Sequence, residues 1–455
     1  MKMVKSLLLG SAAGLVAVAG ANAADLPVKA KAVEYVKVCS AYGAGFYYIP
    51  GTDTCLKIGG YVRFDTYVNA TGTFNPFISN QTLGAGVRTN DLTDSYRTRT
   101  RGLITLDART QTEYGTLRSY AGFGANLDSW GGNNGSTGVE LDRAFIQFAG
   151  FTAGYTTSFF DPNLNYMLTT PYTMTKRKLS QLAYTAQFGN GFSATIAVED
   201  QRFVDVTNGQ AYGPNARAGS QAPDVVANLR LEQSWGSAQI VGAAHQSLVA
   251  DGASLFQSTS DTWGFAIGGT LEFNLDALAK GDGFFVTAAY GDGALNYVGL
   301  NGSDRTTNAT QFGRVKVTNF GTGGAFYQAS DVVYNGLTGD YDKTKAWSVT
   351  GQFRHFWTPA LRSAVLVGYV DVDAPDSAYA NANGFLDFNM YQVGFNTIWS
   401  PVKNLDIGAE VLYSKVEGKH DFNDGSPLQA LNPNPVGFGG STDLWSGGVR
   451  IQRNF

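Results

Sequence analysis

The sequence has few charged residues, few cysteines and no long apolar segment beyond its first 23 residues. Only 15% of its 455 residues are charged, and it has two cysteines and three histidines. No later segment approaches the roughly 20 apolar residues that a membrane-spanning helix needs, which excludes a helical membrane protein. Lysine and arginine form no basic tail or cluster, so we expect no nucleic-acid partner. No linker rich in proline, serine or charge divides the chain.

The scarcity of histidine also argues against an enzyme or a metalloprotein. His245, His355 and His420 are far apart in the sequence. None of them stands in a pattern typical of a metal site or of a nucleophile beside its base. The glycine clusters lack the strand-to-helix context of a phosphate-binding loop. We therefore expect no catalytic site, no metal and no cofactor.

The first 23 residues have the features of a secretory signal peptide. Lys2 and Lys5 precede an apolar run, and the stretch "ANA" ending at Ala23 fits the small-x-small pattern of a cleavage site. We expect removal of residues 1–23, which changes the formal net charge from −4 to −6. The chain is thus predicted to be an exported, mildly acidic protein.

The two cysteines are Cys39 and Cys55, with 15 residues between them. An oxidising compartment outside the cytoplasm favours a disulfide between them. Closing a loop of this size contributes about 3 kcal/mol in the chain-entropy model. Two unpaired thiols are the alternative. Residues 24–55 are interpreted as an N-terminal periplasmic segment that the disulfide restrains.

What the sequence does contain is repeated alternation of polar and apolar residues. Because successive side chains of a β-strand point to opposite faces, alternation indicates which residues share a face. In "SYRTRTRGLITLDART" one face carries Arg97, Arg99, Arg101, Thr105, Asp107 and Arg109, and the other carries small or apolar residues. A single strand of this kind would also suit a soluble sheet with its arginines in water.

The alternation recurs too often for one amphipathic strand. In residues 56–68, Val62 and Phe64 lie on one face, and Arg63 and Asp65 on the other. Residues 225–235, 347–357, 405–414 and 443–455 repeat the pattern, and the last of these ends at Phe455. A transmembrane β-barrel has this signature because each strand gives alternate residues to lipid.

Short turns alternate with long polar segments along the same region. The turns are "EYG", "AGF", "GNG", "WGS" and "SPVKN", and the long segments are residues 71–91, 128–138, 161–178, 202–224, 247–261, 296–342 and 418–441. Outer-membrane barrels have short periplasmic turns and long external loops. The fold class is therefore predicted to be all-β, an antiparallel transmembrane β-barrel of about 16 strands over residues 56–455. A further hairpin in "FGRVKVTNF" would make 18.

Two stretches carry a resemblance to a known family. "EYVKVCSAYGAGFYYIPGTDTCLKIGGYVRFD" and "SYRTRTRGLITLDARTQTEYGTLRSY" resemble the alphaproteobacterial, rhizobial-type general porins of the outer membrane. The resemblance implies a water-filled homotrimeric barrel that passes ions and small hydrophilic solutes passively. Its surroundings would be outer-membrane lipid and lipopolysaccharide. The aromatic Phe455 at the end of the last strand resembles the signal read by the outer-membrane assembly machinery.

The resemblance also implies that the third external loop, about residues 159–178, folds into the lumen and forms an eyelet. The residues expected to line the pore there are Arg63, Asp65, Arg97, Arg99, Arg101, Asp107, Asp161, Lys176, Arg177 and Lys178. An arginine facing lipid near the midplane costs roughly 2 to 4 kcal/mol, so the arginines are expected to face the lumen. Their excess predicts weak anion preference or near-neutral selectivity. Pairing with Asp65 and Asp107 is the alternative.

Two other functions fit the same barrel. A substrate-specific channel would use an aromatic track, for which Phe159, Tyr166 and Tyr172 are candidates. A surface adhesin or receptor would use its external loops, and its pore would be incidental. Sequence patterns do not separate these two from a general porin.

Overall fold

A computed structural model describes residues 37–71, 75–76, 96–129, 136–200, 221–250, 259–299, 318–319, 325–326, 331–334, 340–375, 387–419 and 441–455. The predicted signal peptide and His420 lie outside these residues. Within them, no helix has the length and apolar character that crossing a membrane requires.

Sixteen antiparallel strands, each hydrogen-bonded to the next in sequence, form the fold. They are β1 (Cys55–Val68), β2 (Tyr96–Thr112), β3 (Gly115–Asp128), β4 (Ser136–Phe148), β5 (Phe151–Thr157), β6 (Lys178–Gly189), β7 (Phe192–Glu199), β8 (Asp224–Gln233), β9 (Gly236–Ala250), β10 (Thr259–Asn274), β11 (Gly283–Asp292), β12 (Lys345–Thr358), β13 (Leu361–Asp373), β14 (Phe388–Val402), β15 (Leu405–Gly418) and β16 (Ser441–Asn454). β16 pairs with β1, so the sheet closes into a barrel. The prediction of 16 strands is confirmed.

The alternative of 18 strands is wrong. β11 pairs directly with β12, from Gly283 opposite Arg354 to Asp292 opposite Lys345, which leaves no place for another hairpin between them. Part of the "FGRVKVTNF" stretch does pair, but Thr318–Asn319 joins Ala325–Phe326 in a separate two-stranded sheet. The rest of that stretch lies outside the described residues.

Besides the short strand Tyr47–Tyr48, which is described below, the structure contains two further small hairpins and two short turns. Ala70–Thr71 pairs with Asn75–Pro76, and Val332–Tyr334 pairs with Tyr341–Lys343. Ser40–Tyr42 and Leu295–Tyr297 are single 3₁₀ turns.

The outer surface of the barrel is apolar. On β1 the outward residues Ile58, Val62, Phe64 and Val68 are 42–56% exposed, and similar rows follow on the other strands. A soluble protein rarely exposes contiguous apolar patches of more than a few hundred Å². An apolar belt around the whole barrel is therefore a lipid-facing surface, as the alternation predicted.

Aromatic rings mark the two edges of this surface. Near the ends joined by long loops, Trp347 contacts Tyr369 and Tyr413 contacts Trp445, each pair with centroids 5.0 Å apart. Near the ends joined by short turns, exposed rings include Trp357 and Phe188. Trp347 and Trp357 are ten residues apart on β12. At ~3.4 Å per residue and a tilt of ~40°, they are about 26 Å apart along the barrel axis, close to the usual height of a lipid-facing band.

The connections follow the predicted asymmetry with four differences. The prediction missed a long connection between β13 and β14, residues 374–387, and short-turn connections at 275–282 and 359–360. The segment 247–261 was predicted as a loop, but β9 continues to Ala250 and β10 begins at Thr259. The polarity of residues 247–261 therefore does not distinguish these strand ends from a loop.

The N-terminal segment is tied to the start of β1. Cys39 and Cys55 are joined by a disulfide, with Cα atoms 6.0 Å apart. The short strand Tyr47–Tyr48 pairs with Cys55 and Leu56. This pairing covers the part of β1 that extends beyond the end of β16, where a free strand edge would otherwise invite aggregation.

Gly60 allows the barrel to close beside this segment. Its N–H donates to the carbonyl of Phe455 at 3.2 Å, and the N–H of Phe455 donates back to the carbonyl of Gly60 at 3.1 Å. Gly60 has φ +152°, and a Cβ there would collide with the carbonyl oxygen of Leu103. A residue with a side chain must therefore displace β2 or break the contact with Phe455.

We predict that Gly60→Ala impairs barrel closure. Heat-dependent mobility in an SDS gel reports the folded barrel, and the variant is expected to lose most of the unheated, fast-migrating or oligomeric band. Gly102→Ala is the matched control, because a Cβ at Gly102 has no heavy atom within 4 Å. Equal folded fractions for the two variants would contradict the role of Gly60.

Candidate functional site: the lumen and its inward loop

The third long connection, residues 158–177, lies inside the barrel and is called the inward loop. It leaves β5 at Thr157 and enters β6 at Lys178. Phe160, Tyr172 and Met174 in it are 1–2% exposed, although the loop joins two strands at the barrel rim. Its burial is explained by contacts with inward side chains of strands on both sides of the lumen.

The base of the inward loop is bound to β7 and β8. Ser158 donates its hydroxyl to Glu199 at 2.8 Å, and the N–H of Phe159 donates to the same carboxylate at 2.9 Å. Asn228 donates to the carbonyl of Phe159 at 2.7 Å. Because a buried polar group without a partner is costly, these bonds fix where the loop enters the lumen.

The tip of the inward loop is bound to strands across the lumen. Glu410 on β15 accepts the N–H groups of Leu168 at 2.5 Å and Thr169 at 2.9 Å. Gln352 on β12 accepts the N–H of Tyr166 at 2.6 Å, and Gln392 on β14 accepts that of Tyr172 at 2.6 Å. The loop backbone thus takes its partners from side chains of the barrel wall.

Apolar side chains of the inward loop pack in the same places. Met167 lies in a buried cluster with Ala364, Leu366 and Leu412 of the far wall. Leu168 packs on Tyr67, and Phe160 contacts the ring of Tyr297 with centroids 4.6 Å apart. Each buried side chain of this size contributes about 1.5 to 3 kcal/mol, so packing and hydrogen bonds act together.

Asp161 and Arg177 do not line the open lumen, contrary to the sequence-based expectation. They are 6% and 7% exposed at the base of the inward loop, where the carboxylate accepts the N–H of Arg177. The guanidinium of Arg177 lies 3.9 Å from the centroid of the Tyr297 ring. Burial raises the pKa of Asp161, although the nearby Arg177 opposes the rise. These two charges stabilise the loop.

A buried polar network links the loop base to the wall behind it. Tyr297 donates to Asp224 at 2.5 Å, and His245 lies between Asp224, at 2.8 Å, and Asp331, at 3.6 Å. All four side chains are fully buried. Burial, and then the carboxylate of Asp224, raises the pKa of Tyr297 well above its ordinary value. The sequence pattern around His245 indicated no partner, and its two carboxylate neighbours were not foreseen.

The predicted arginine row on β2 does face inward, and it is paired. Arg99 makes a two-bond contact with Asp128 on β3, at 2.5 and 2.9 Å. Arg101 contacts Glu140 on β4 and is 3.9 Å from Asp142. Arg97 and Arg101 are 9% and 3% exposed. The wall formed by β1–β4 therefore alternates positive and negative charge.

The other predicted lining residues occupy three different positions. Asp65 is fully buried and bound by Arg450 of β16 at 2.7 Å. Asp107 lies near the turn end of β2, where it pairs with Arg109 and Arg118, away from the inward loop. Lys178 pairs with Asp142 at 2.6 Å, and Lys176 is partly exposed. Asp65 and Asp107 are therefore paired, but the partners shown are Arg450, Arg109 and Arg118, whereas Arg99 and Arg101 pair with Asp128 and Glu140.

Sequence reasoning missed most of the acidic partners. Glu140 and Asp142 are two residues apart on β4 and so point to the same face, where both lie near Arg101. β4 also has a bulge opposite Gly122 and Phe123, which adds one residue to the strand. A bulge breaks the period of two, so strict alternation misassigns the residues beyond it. The fragment "VELDR", with two acids among alternating residues, was the only available signal.

The inward loop leaves one side of the lumen for solutes. Its contacts run to β7–β9, to β12–β15 and to Tyr67 and Arg450 at the β1–β16 junction. The charged wall of β1–β4 lies on the remaining side. We infer that a solute passes between the inward loop and this wall.

The chain is similar to proteins of one known family. A family model described as "Porin subfamily" matches residues 25–435. Porin Omp2b of Brucella suis biovar 1 (strain 1330) is 36% identical over 264 residues, which are 55% of this chain and 68% of the relative. Porin Omp2b of Brucella abortus (strain 2308) has the same identity and coverage.

Among solved structures, the outer membrane channel DcaP of Acinetobacter baumannii has a similar fold. The TM-score is 0.61 with 16% sequence identity, over 90% of this chain and 99% of that chain. At this identity the similarity concerns the fold alone.

We predict that Glu410→Ala releases the tip of the inward loop. Leu168 and Thr169 would lose the acceptor for both N–H groups, at a cost of about 1 to 3 kcal/mol per unsatisfied buried group. Single channels of the variant should show larger current noise and a higher mean conductance. Glu232→Ala is the control, since its side chain is 66% exposed at the turn end and pairs with Arg230. Indistinguishable traces for the two variants would contradict the anchoring role.

Proposed function

This chain belongs to the porin subfamily and forms a channel of the Gram-negative outer membrane, and we propose from that premise that it is a general diffusion porin. It passes ions and small hydrophilic solutes down their gradients, without a dedicated binding track. Membership of this family points to a channel rather than an enzyme, and we propose that the chain has no catalytic activity.

The burial of aromatic rings in the inward loop is the observation that carries this proposal. A substrate-specific channel needs aromatic faces turned toward the solute. Tyr172 is 1% exposed, and the ring of Tyr166 is covered by Phe285, with centroids 5.1 Å apart, and by Arg354, at 4.4 Å. Since these rings pack against the wall, they do not form a track, and the solute meets polar and charged side chains.

The remaining parts of the proposal concern assembly and surroundings. Residues 1–23 are removed as a signal peptide, so that the mature chain starts at Ala24. The chain assembles as a homotrimer, surrounded by lipid and lipopolysaccharide, after the outer-membrane assembly machinery has recognised its last strand at Phe455. Residues 24–55 form a periplasmic segment. Support comes from the sequence patterns and from family membership.

We predict that the purified protein conducts in a planar bilayer. Current should rise linearly with salt, and neutral sugars at low millimolar concentration should leave it unchanged, because a general pore has no saturable site for them. A current that neutral sugars reduce at such concentrations would favour the substrate-specific channel. A protein that inserts but carries no current would contradict the porin proposal.

We predict weak anion preference or near-neutral selectivity in the wild type, and a shift toward cations when Arg97, Arg99 and Arg101 are all changed to Gln. The change leaves Asp128, Glu140 and Asp142 without these cations, in a lumen whose low-dielectric walls strengthen their field. Reversal potentials in a salt gradient measure the shift. Arg453→Gln is the control, because Arg453 is exposed and bonds to backbone carbonyls at the turn end. Strong cation selectivity in the wild type would contradict the prediction.

A further inference from the structure

Arg63 differs from the other arginines of the charged wall in its partners. Its Nε donates to the neutral amide oxygen of Gln452 at 2.7 Å, and its guanidinium lies over the ring of Tyr61 at 4.5 Å. Among the described residues, no carboxylate lies within salt-bridge distance of Arg63. Its side chain is partly exposed to the lumen, unlike those of Arg97 and Arg101.

Cations surround Arg63 on the same face. In the β1–β2 ladder it lies directly opposite Arg101. The next inward residue on β1, Asp65, lies opposite Arg99 on β2 and opposite Arg450 on β16. Side chains directly opposite each other have Cβ atoms about 5 Å apart, and like charges in such pairs are destabilising. Arg63 therefore has a like charge beside it without a carboxylate of its own.

The carboxylates near Arg63 are already bound elsewhere. Asp65 accepts from Nε and from one terminal nitrogen of Arg450, Arg99 is held by Asp128, and Arg101 by Glu140. Arg99, Arg101 and Arg450 thus each have a bound carboxylate, whereas Arg63 has none within salt-bridge distance among the described residues. A guanidinium with free N–H groups toward water and cationic neighbours is a good partner for an oxyanion.

The position of Arg63 places this charge next to the tip of the inward loop. Arg450 donates to the carbonyl of Leu168 in that tip at 3.2 Å and also binds Asp65. Arg63 is one inward position further toward the turn end, the periplasmic side. A solute that has passed the inward loop meets Arg63 next.

We propose that Arg63 is a binding site for solutes carrying a carboxylate or phosphate group, on the periplasmic side of the inward loop. This inference rests on the proposed porin function. The anion pairs with the guanidinium of Arg63, and it is held weakly because this side chain is partly exposed to the water of the lumen. The channel would then favour small oxyanions over neutral solutes of equal size, although its overall ion selectivity is nearly neutral.

The test is block of single-channel current in potassium chloride by inorganic phosphate and, separately, by glutarate. Each anion should reduce the wild-type current in a saturable manner, whereas sucrose should not. Arg63→Gln should weaken the block by about tenfold, the effect of one charge-assisted hydrogen bond. Arg63→Lys should keep part of it, and this variant covers the case in which Arg63→Gln does not fold. Arg230→Gln is the matched control, because Arg230 also faces the lumen but pairs with Glu232 at 2.8 Å.

The outcomes separate this site from the porin proposal. Block by one anion only assigns the site to that group. A wild-type channel that conducts but is not blocked by either anion overturns the site and leaves the porin function standing, as does equal block in Arg63→Gln and Arg230→Gln. Absence of any conductance overturns the porin function, and the site with it.

Discussion

Closure of the backbone ladder between β1 and β16 is the constraint on which the rest of the structure depends. Hydrocarbon offers no hydrogen bonds, so every backbone N–H and C=O within the membrane needs a partner in the protein. The pairing of Tyr61–Val68 with Gly447–Asn454 supplies the last of these partners. It also brings Arg450 beside Asp65, although 385 residues separate them in sequence. The charged wall and the passage beside it exist only because the two ends of the sheet meet.

Much of this fold is readable from local pattern, because lipid outside and water inside impose a period of two on every strand. Alternation assigned the inward arginines of β2 and the outward apolar row of β1 correctly, and turn composition gave 16 strands. The prediction errors occur where a period of two does not determine whether a residue belongs to a strand or which partner it faces. The polar ends of β9 and β10 were taken for a loop, and Glu140 and Asp142 on β4 were not recognised as partners of Arg101.

The site was less predictable than the barrel, since its contacts join distant parts of the chain. Nothing near Leu168 in the sequence indicates that Glu410, about 240 residues later, accepts its N–H. Arg177 was expected in the pore because it lies near the end of the loop predicted to fold into the lumen, but burial against Tyr297 makes it a structural residue. A charge count along the chain therefore overestimates the positive charge that a solute encounters.

The inward loop has a mechanical consequence for the barrel. Its base is hydrogen-bonded to β7 and β8 and its tip to β12, β14 and β15. The loop therefore connects opposite walls of the barrel across the lumen. Lateral pressure from the bilayer would deform a barrel without such a connection. A loop bound to both walls resists widening of the barrel and its distortion to an oval cross-section. The number of strands sets the diameter of the barrel, and the inward loop limits how far its cross-section can be distorted.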